Sequence, residues 1–382
     1  MPYFKPSLNR RLILKLAGFA GAASVASAWA QPGSIGALAK NIVVAQVVDV
    51  SQAQQDVSKD FLIGSRAAWQ DINLRGGIRG RKVNHLTLET DGTPTSIRTA
   101  LDTIKANPAC VAVSGSVGDQ VASSLVTLLR TENLNIPHVA PWLQNASPEV
   151  DNTTFPIFAA RQEQISYSLK NLSVMGIKEL GAVYGTASDH TAFHLEVEKI
   201  AASMQLKLQS FQGSAGLREL GQQLTSQTPA VLLFVGGTPE LSQFTQGLAK
   251  QTRQRYVVAL ADVNLQTMQQ MGASRNTSVI ATQPVPMVTA GLIIVRQYRE
   301  TLARLFDEPP TALSLAGFIA ARYTFEVLNG VDSPLSRQSA LAAFQRRAAM
   351  DLGGFRISFN PQGRSSTYVT QSMMTLDGRV IG

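Results

Sequence analysis

The sequence predicts an α/β protein of two Rossmann-like lobes with parallel sheets, joined by crossovers. Three observations lead there. At 382 residues the chain is too long for one hydrophobic core, since cores stop growing at about 250–300 residues. Apolar strand-like runs alternate with amphipathic helical stretches, the rhythm of helices covering a parallel sheet. That rhythm restarts after Phe155, so the chain reads as two similar halves. Hydrophobic residues at 45% against 16% charged supply two cores and exclude a disordered or fibrous chain.

In the first half, strands are expected over 41–48, 82–89, 110–113 and 136–140. Helices are expected over about 58–74, 96–106 and 121–132, the first with Phe61, Ile63, Ala67, Ala68 and Ile72 near helical spacing. In the second half, helices over 163–175, 190–204, 216–226 and 239–251 alternate with strands at 180–184, 206–211, 230–235, 256–260 and 279–283. Long helices follow at about 289–306 and 313–329, then one over 337–349 beyond Asp332 and Pro334, and a terminal hairpin over 355–380. Parallel sheets bind ligands beyond the carboxyl ends of their strands, so two such lobes imply a cleft between them.

The first thirty residues read as an export signal. Lys5, Arg10, Arg11 and Lys15 precede and open an apolar stretch ending near Val25, and Ala28 and Ala30 fit a signal-peptidase site before Gln31. Arg10 and Arg11, followed by Leu12, Ile13, Leu14 and Lys15, resemble a twin-arginine signal with Asn9 where Ser or Thr is usual; a general secretory signal is the alternative. Gln31 rather than a cysteine offers no lipid anchor, and a periplasmic mature protein without stable membrane insertion is expected. The formal charge of +8 owes four positive charges to this segment, which holds no acidic residue. The remaining 30 basic residues against 26 acidic make an ordinary surface, so nucleic acid is not an expected partner.

Ser58, Asp60 and Phe61, then Asn73, Gly76, Gly77, Gly80, Arg81 and Lys82, resemble the opening of a type I periplasmic solute-binding protein. The nearest likeness is to the branched-chain amino-acid (Leu/Ile/Val) receptors of ABC importers. The glycines close a helix, where left-handed backbone is needed; phosphate loops open one, so a phosphate site is rejected. The likeness continues through Gly115 to Gly118, Val139 to Trp142, Ile157 to Arg161, and the stretches 180–185, 313–322 and 352–359. It implies three crossovers, near 156–159, 283–287 and 350–356. The lobes are then 41–157 plus 286–352 and 158–285 plus 353–382, after a signal peptide over 1–30. It further implies a substrate-binding component that closes like a hinge on a small organic ligand, an amino acid or other carboxylate, and serves a membrane permease. A sensory module for a signalling partner is the alternative.

The resemblance also points to site residues. The loop with Ser114, Ser116, Val117 and Gly118 precedes a helix whose free N–H groups would attract a carboxylate. Asp119 would repel one, or serve as the N-cap of that helix. Pro141 and Trp142 lie where the family lines its cleft, Trp142 being suited to stack on a flat or apolar ligand. Arg161 is placed to pair a carboxylate. In the second half, Asp189 and His190 follow a strand, and Asp262 stands where the amino-acid receptors hold an ammonium; Ser51 and Gln52 are weaker candidates.

No cofactor, metal or catalytic centre is expected. The single cysteine, Cys110, excludes an internal disulfide and any CxxC site. His190 and His194 are four apart, a metal-compatible spacing, but lack a third ligand and read as a helix face. Ser116 is not within a Gly-x-Ser-x-Gly elbow, because residue 114 is a serine. Asp56, Glu89 and Asp91 form no glycosidase-like pair.

Overall fold

A computed structural model describes residues 42–144, 150–212, 216–271, 277–365, 368–375 and 380–381. The expected export signal over 1–30 lies outside the described residues. The first lobe is built on a parallel sheet of β1 (Ile42–Asp49), β2 (Val83–Thr90), β3 (Cys110–Ser114), β4 (His138–Val139) and β5 (Thr154–Phe155), in the order β2-β1-β3-β4-β5. Every residue of β1 is buried, as a central strand covered on both faces requires. The one polar side chain in its middle, Gln46, donates to the Gly115 carbonyl at 2.7 Å and meets His85 Nε2 at 2.8 Å, so its burial is compensated.

Helices α1 (Gln55–Leu74), α2 (Pro94–Ala106) and α3 (Asp119–Thr131) alternate with these strands. α9 (Ile293–Leu305), α10 (Ala312–Asn329) and α11 (Arg337–Gln345) return to the same lobe late in the sequence. α1 and α10 pack glycine to backbone: a Cβ on Gly64 would collide with the Ser314 carbonyl, and one on Gly317 with the Phe61 carbonyl. Ser65 Oγ, in the same seam, bonds the Phe61 carbonyl at 3.2 Å and the Gly317 carbonyl at 3.3 Å. Gly77, at φ +71°, closes α1 through a bond from its N–H to the Ile72 carbonyl.

The second lobe holds a seven-stranded sheet in the order β14-β13-β10-β9-β8-β6-β7. β6 (Glu179–Tyr184), β7 (Lys207–Gln212), β8 (Val231–Val235), β9 (Tyr256–Ala259) and β10 (Ser278–Gln283) are parallel. β13 (Thr370–Met374) and β14 (Val380–Ile381) add an antiparallel edge. Its helices are α4 (Arg161–Val174), α5 (Ala187–Ser203), α6 (Leu217–Gln223), α7 (Thr238–Leu248) and α8 (Leu265–Gln270).

Several boundaries differ from expectation for local reasons. The strand expected over 136–140 shrinks to two residues, because Pro137 has no N–H to donate and Ala140 sits at φ +48°. α5 starts three residues early, where Thr186 and Asp189 form a reciprocal capping box. The expected terminal hairpin is two separate ribbons: β11 (Met350–Asp351) pairs β12 (Arg356–Ile357), and β13 pairs β14. Phe355 and Ile357 bury in the first-lobe core, with Phe355 6.4 Å from Phe158 between ring centroids.

Candidate functional site

The loops after β1 and β3 approach those after β8 and β9 across the cleft, as carboxyl ends of parallel strands should. Among the described residues, three side-chain hydrogen bonds to carboxylates span it. Thr238 Oγ1, at the start of α7, donates to Asp56 Oδ2 at 2.6 Å. Asn264 Nδ2 donates to Asp60 Oδ2 at 2.8 Å, and Arg161, at the start of α4, donates to Asp119 Oδ2 at 2.8 Å. In each case a first-lobe carboxylate accepts from a second-lobe donor.

Arg161 is the hub of a buried cluster. Its Nε donates to Asp262 Oδ2 at 2.8 Å, and its guanidinium lies 4.9 Å from the Phe193 ring centroid. Burial works against the charge, but Asp262 and then Asp119 outweigh it and hold the guanidinium proton above its ordinary range. Asp189 adds a further negative charge to this neighbourhood while its side chain accepts from Thr186 in the cap of α5. Arg161, Asp262 and Asp189, expected separately, are thus brought together, and Asp119 joins them. Asp119 is the first helical residue of α3, with Gly118 at the N-cap position, so it is not itself the N-cap.

The other expected site residues, apart from Trp142, are placed within one lobe. Ser114 Oγ bonds Thr324 Oγ1 of α10 at 2.7 Å, and Ser116 Oγ meets His138 Nε2 at 2.5 Å, both buried within the first lobe. Val117 is fully buried and prolongs the pairing with β1: its N–H donates to the Val47 carbonyl and its carbonyl accepts from Asp49. Gly118 sits at φ +98° against Asp49, whose side chain a Cβ there would strike. The Gly115 and Val117 N–H groups are therefore already paired within the lobe. Pro141 is buried, and the Trp142 indole packs between Phe61 (5.7 Å) and Phe158 (5.4 Å). His190 meets Tyr184 edge-on at 4.9 Å and stacks on His194 at 4.3 Å.

Two hollows open along this interface, one on each side of the loop leaving β9. The larger, about 700 Å³, is lined by Asp56, Lys59, Asp60, Glu240 and Glu308 among polar neighbours. Burial raises the proton affinity of both Asp56 and Asp60, and the hydrogen bonds from Thr238 to Asp56 and from Thr311 and then Asn264 to Asp60 offset this only in part. The smaller, about 290 Å³, lies beside the second passage between the lobes. Its walls include Trp142, Val263, Leu265, Met287 and Leu313. Asp56, Asp60, Thr238 and Asn264 join the site without a signal in the sequence. The four-residue spacing of Asp56 and Asp60 puts them on one helix face, but nothing in it tells which face meets the other lobe.

This fold and interlobe cleft define a class, the two-lobed binding proteins. Residues 41–374 match the family model for periplasmic binding proteins, and the chain belongs to that family. No curated protein sequence matches it. Among solved structures, an extracellular ligand-binding receptor from Verminephrobacter eiseniae ef01-2 superposes with TM-score 0.80 at 18% identity, over 90% of this chain and 100% of that one. The branched-chain amino-acid transporter substrate-binding protein LivJ of Streptococcus pneumoniae, in complex with isoleucine, gives 0.77 at 12% identity, over 89% and 98%. A fatty acid ABC transporter substrate-binding protein from Thermomonospora curvata also gives 0.77 at 12%, over 89% and 90%. At these identities the likeness establishes the fold.

Proposed function

We propose that this chain is the exported substrate-binding component of an ABC importer, holding a small organic ligand between its lobes and presenting it to a membrane permease. The observation that carries this reading is the set of three carboxylate-to-donor bonds across a cleft with hollows on either side. Such contacts form only when the lobes approach, so a ligand touching both lobes biases the molecule toward the closed form. The solved relatives named for substrate binding in transport support the importer reading, and the basic, apolar N-terminal segment supports export to the periplasm.

The named relatives' ligands, isoleucine and fatty acid, differ widely, so the fold leaves ligand class to the cleft. The sequence reading of an amino acid or other carboxylate on Arg161 requires that ligand to displace Asp119 or Asp262, which already hold both sides of the guanidinium. The receptor reading itself is tested by titrating the purified protein with small organic compounds while following heat release and solution scattering. Saturable binding without chemical conversion, with a reduced radius of gyration, is the expected result. Conversion of the bound compound, or an unchanged scattering curve at saturation, would overturn it.

A further inference from the structure

One buried side chain holds four distant segments together. Gln164 lies on the first turn of α4 with no exposed surface. Its Nε2 donates to Gln144 Oε1 at 2.7 Å and to the Ala159 carbonyl at 3.0 Å. Its Oε1 accepts from the Ala261 N–H at 2.9 Å and from Thr282 Oγ1 at 3.0 Å. A carboxamide has two N–H donors and two lone pairs, so every bond it can make is made. The backbone partners also fix which way round it sits. Turning the amide over would face donor to donor at Ala261 and acceptor to acceptor at Ala159.

The four partners lie where the lobes join. Gln144 follows β4, in the sheet of the first lobe, and its carbonyl also accepts from the Arg161 N–H at 2.9 Å. Ala159 is in the passage from β5 of the first lobe to α4 of the second. Thr282 is the last residue but one of β10, at the foot of the passage that leads back to α9, and Ala261 follows β9. A group beside both passages travels least when the lobes turn, because the rotation is absorbed by the few residues that pass between them. The same partners adjoin the smaller hollow: Ala261 lines it, Thr282 precedes Gln283 of its wall, and Gln144 is two residues beyond Trp142.

We infer that Gln164 is the pivot of the hinge, a positioning residue that keeps the loops after β4 and β9 in register while the lobes swing. This rests on the receptor reading above, which requires lobes that move, and adds the side chain that guides them. An apolar side chain of equal length would fill the space but give the rotation no direction. It would also leave the Ala261 N–H and Gln144 Oε1 buried without their partner.

The test is solution scattering of the ligand-free protein at pH 5, well below thermal unfolding. Gln164→Met is expected to give an interlobe distance distribution about 1.5-fold wider than the parent's. Gln164→Glu is the conservative rescue: burial keeps its carboxyl protonated at that pH, so it accepts from Ala261 and Thr282 and donates to Gln144 or Ala159. It should restore the parent's distribution. Gly317→Ala, which loosens the seam within the first lobe, controls for lost stability and should scatter like the parent. Should Gln164→Met fail to fold, Gln144→Met takes its place. That variant gives up one bond to the pivot and also removes Gln144 Nε2, a buried donor with no acceptor among the described residues. Scattering that matches the parent's in the methionine variant, equal widening in Gly317→Ala, or no rescue by Gln164→Glu would overturn the inference. If the parent still contracts on binding a compound, the receptor reading stands and only the pivot falls. If the parent contracts with no compound that it binds, both fall.

Discussion

The imidazole of His138 is wholly enclosed in the first lobe, where its Nε2 meets Ser116. Burial holds it in the neutral form, pulling its pKa from 6.5 to about 3. The unfolded chain therefore takes up a proton near 6.5 that the folded chain refuses. Stability from this group is present above that pH and is lost as pH falls from 6.5 toward 3, at up to about 1.4 kcal/mol per pH unit. Denaturant titrations at pH 7 and pH 5 should show the parent protein losing about 2 kcal/mol more than His138→Gln over that interval. Equal losses would mean that His138 becomes protonated within the native fold. At this scale the sequence was partly legible. Arg161 and Asp262 stood out as charges at loop positions facing a cleft. Their bond to each other did not, because a partner about a hundred residues away leaves no local pattern. Ser114 and Ser116 likewise looked like ligand groups until Thr324 and His138 supplied their partners.

Among the elements, the α1–α10 seam allows a sharp expectation. Two helices approach closely enough that Gly64 and Gly317 each face the other helix's backbone carbonyl. Backbone cannot move aside as a flexible side chain can, so an added methyl forces the helices apart. Gly317→Ala should lower unfolding free energy by roughly 1–3 kcal/mol, measured by urea denaturation, although alanine is the better helix former. A stability gain would mean that the seam is looser than the packing indicates. Helices and parallel strands of ordinary length were legible because apolar spacing marks them over many residues. β5, with two residues, and α8, with six, were not anticipated. Segments that short lack a full period of hydrophobic repetition, and pairing or capping by distant residues decides them.

For the molecule as a whole, the ion pair between Arg161 and Asp119 is the cross-lobe contact most open to test. Removing Asp119 leaves Arg161 paired with Asp262, so neither lobe is left with an uncompensated buried cation. Asp119→Asn should therefore keep the thermal stability of the parent while weakening closure, visible as a larger ligand-free radius of gyration in solution scattering. Asp262→Asn would instead leave Arg161 leaning on Asp119 alone, the half-buried partner across the cleft, so its closure and its stability should become coupled. If Asp119→Asn leaves the scattering curve unchanged, that pair contributes nothing to closure.

Cys110 opens β3 with no exposed surface, and burial raises its thiol above the ordinary range. Thiolate is the reactive form, so the native thiol is both hidden and chemically quiet. A protein with one silent thiol is already a blank background for spectroscopy. A cysteine introduced at an exposed site on each lobe would be the group that dyes or spin labels find, with no native residue to remove first. The distance between those two labels would follow the opening and shutting of the cleft one molecule at a time.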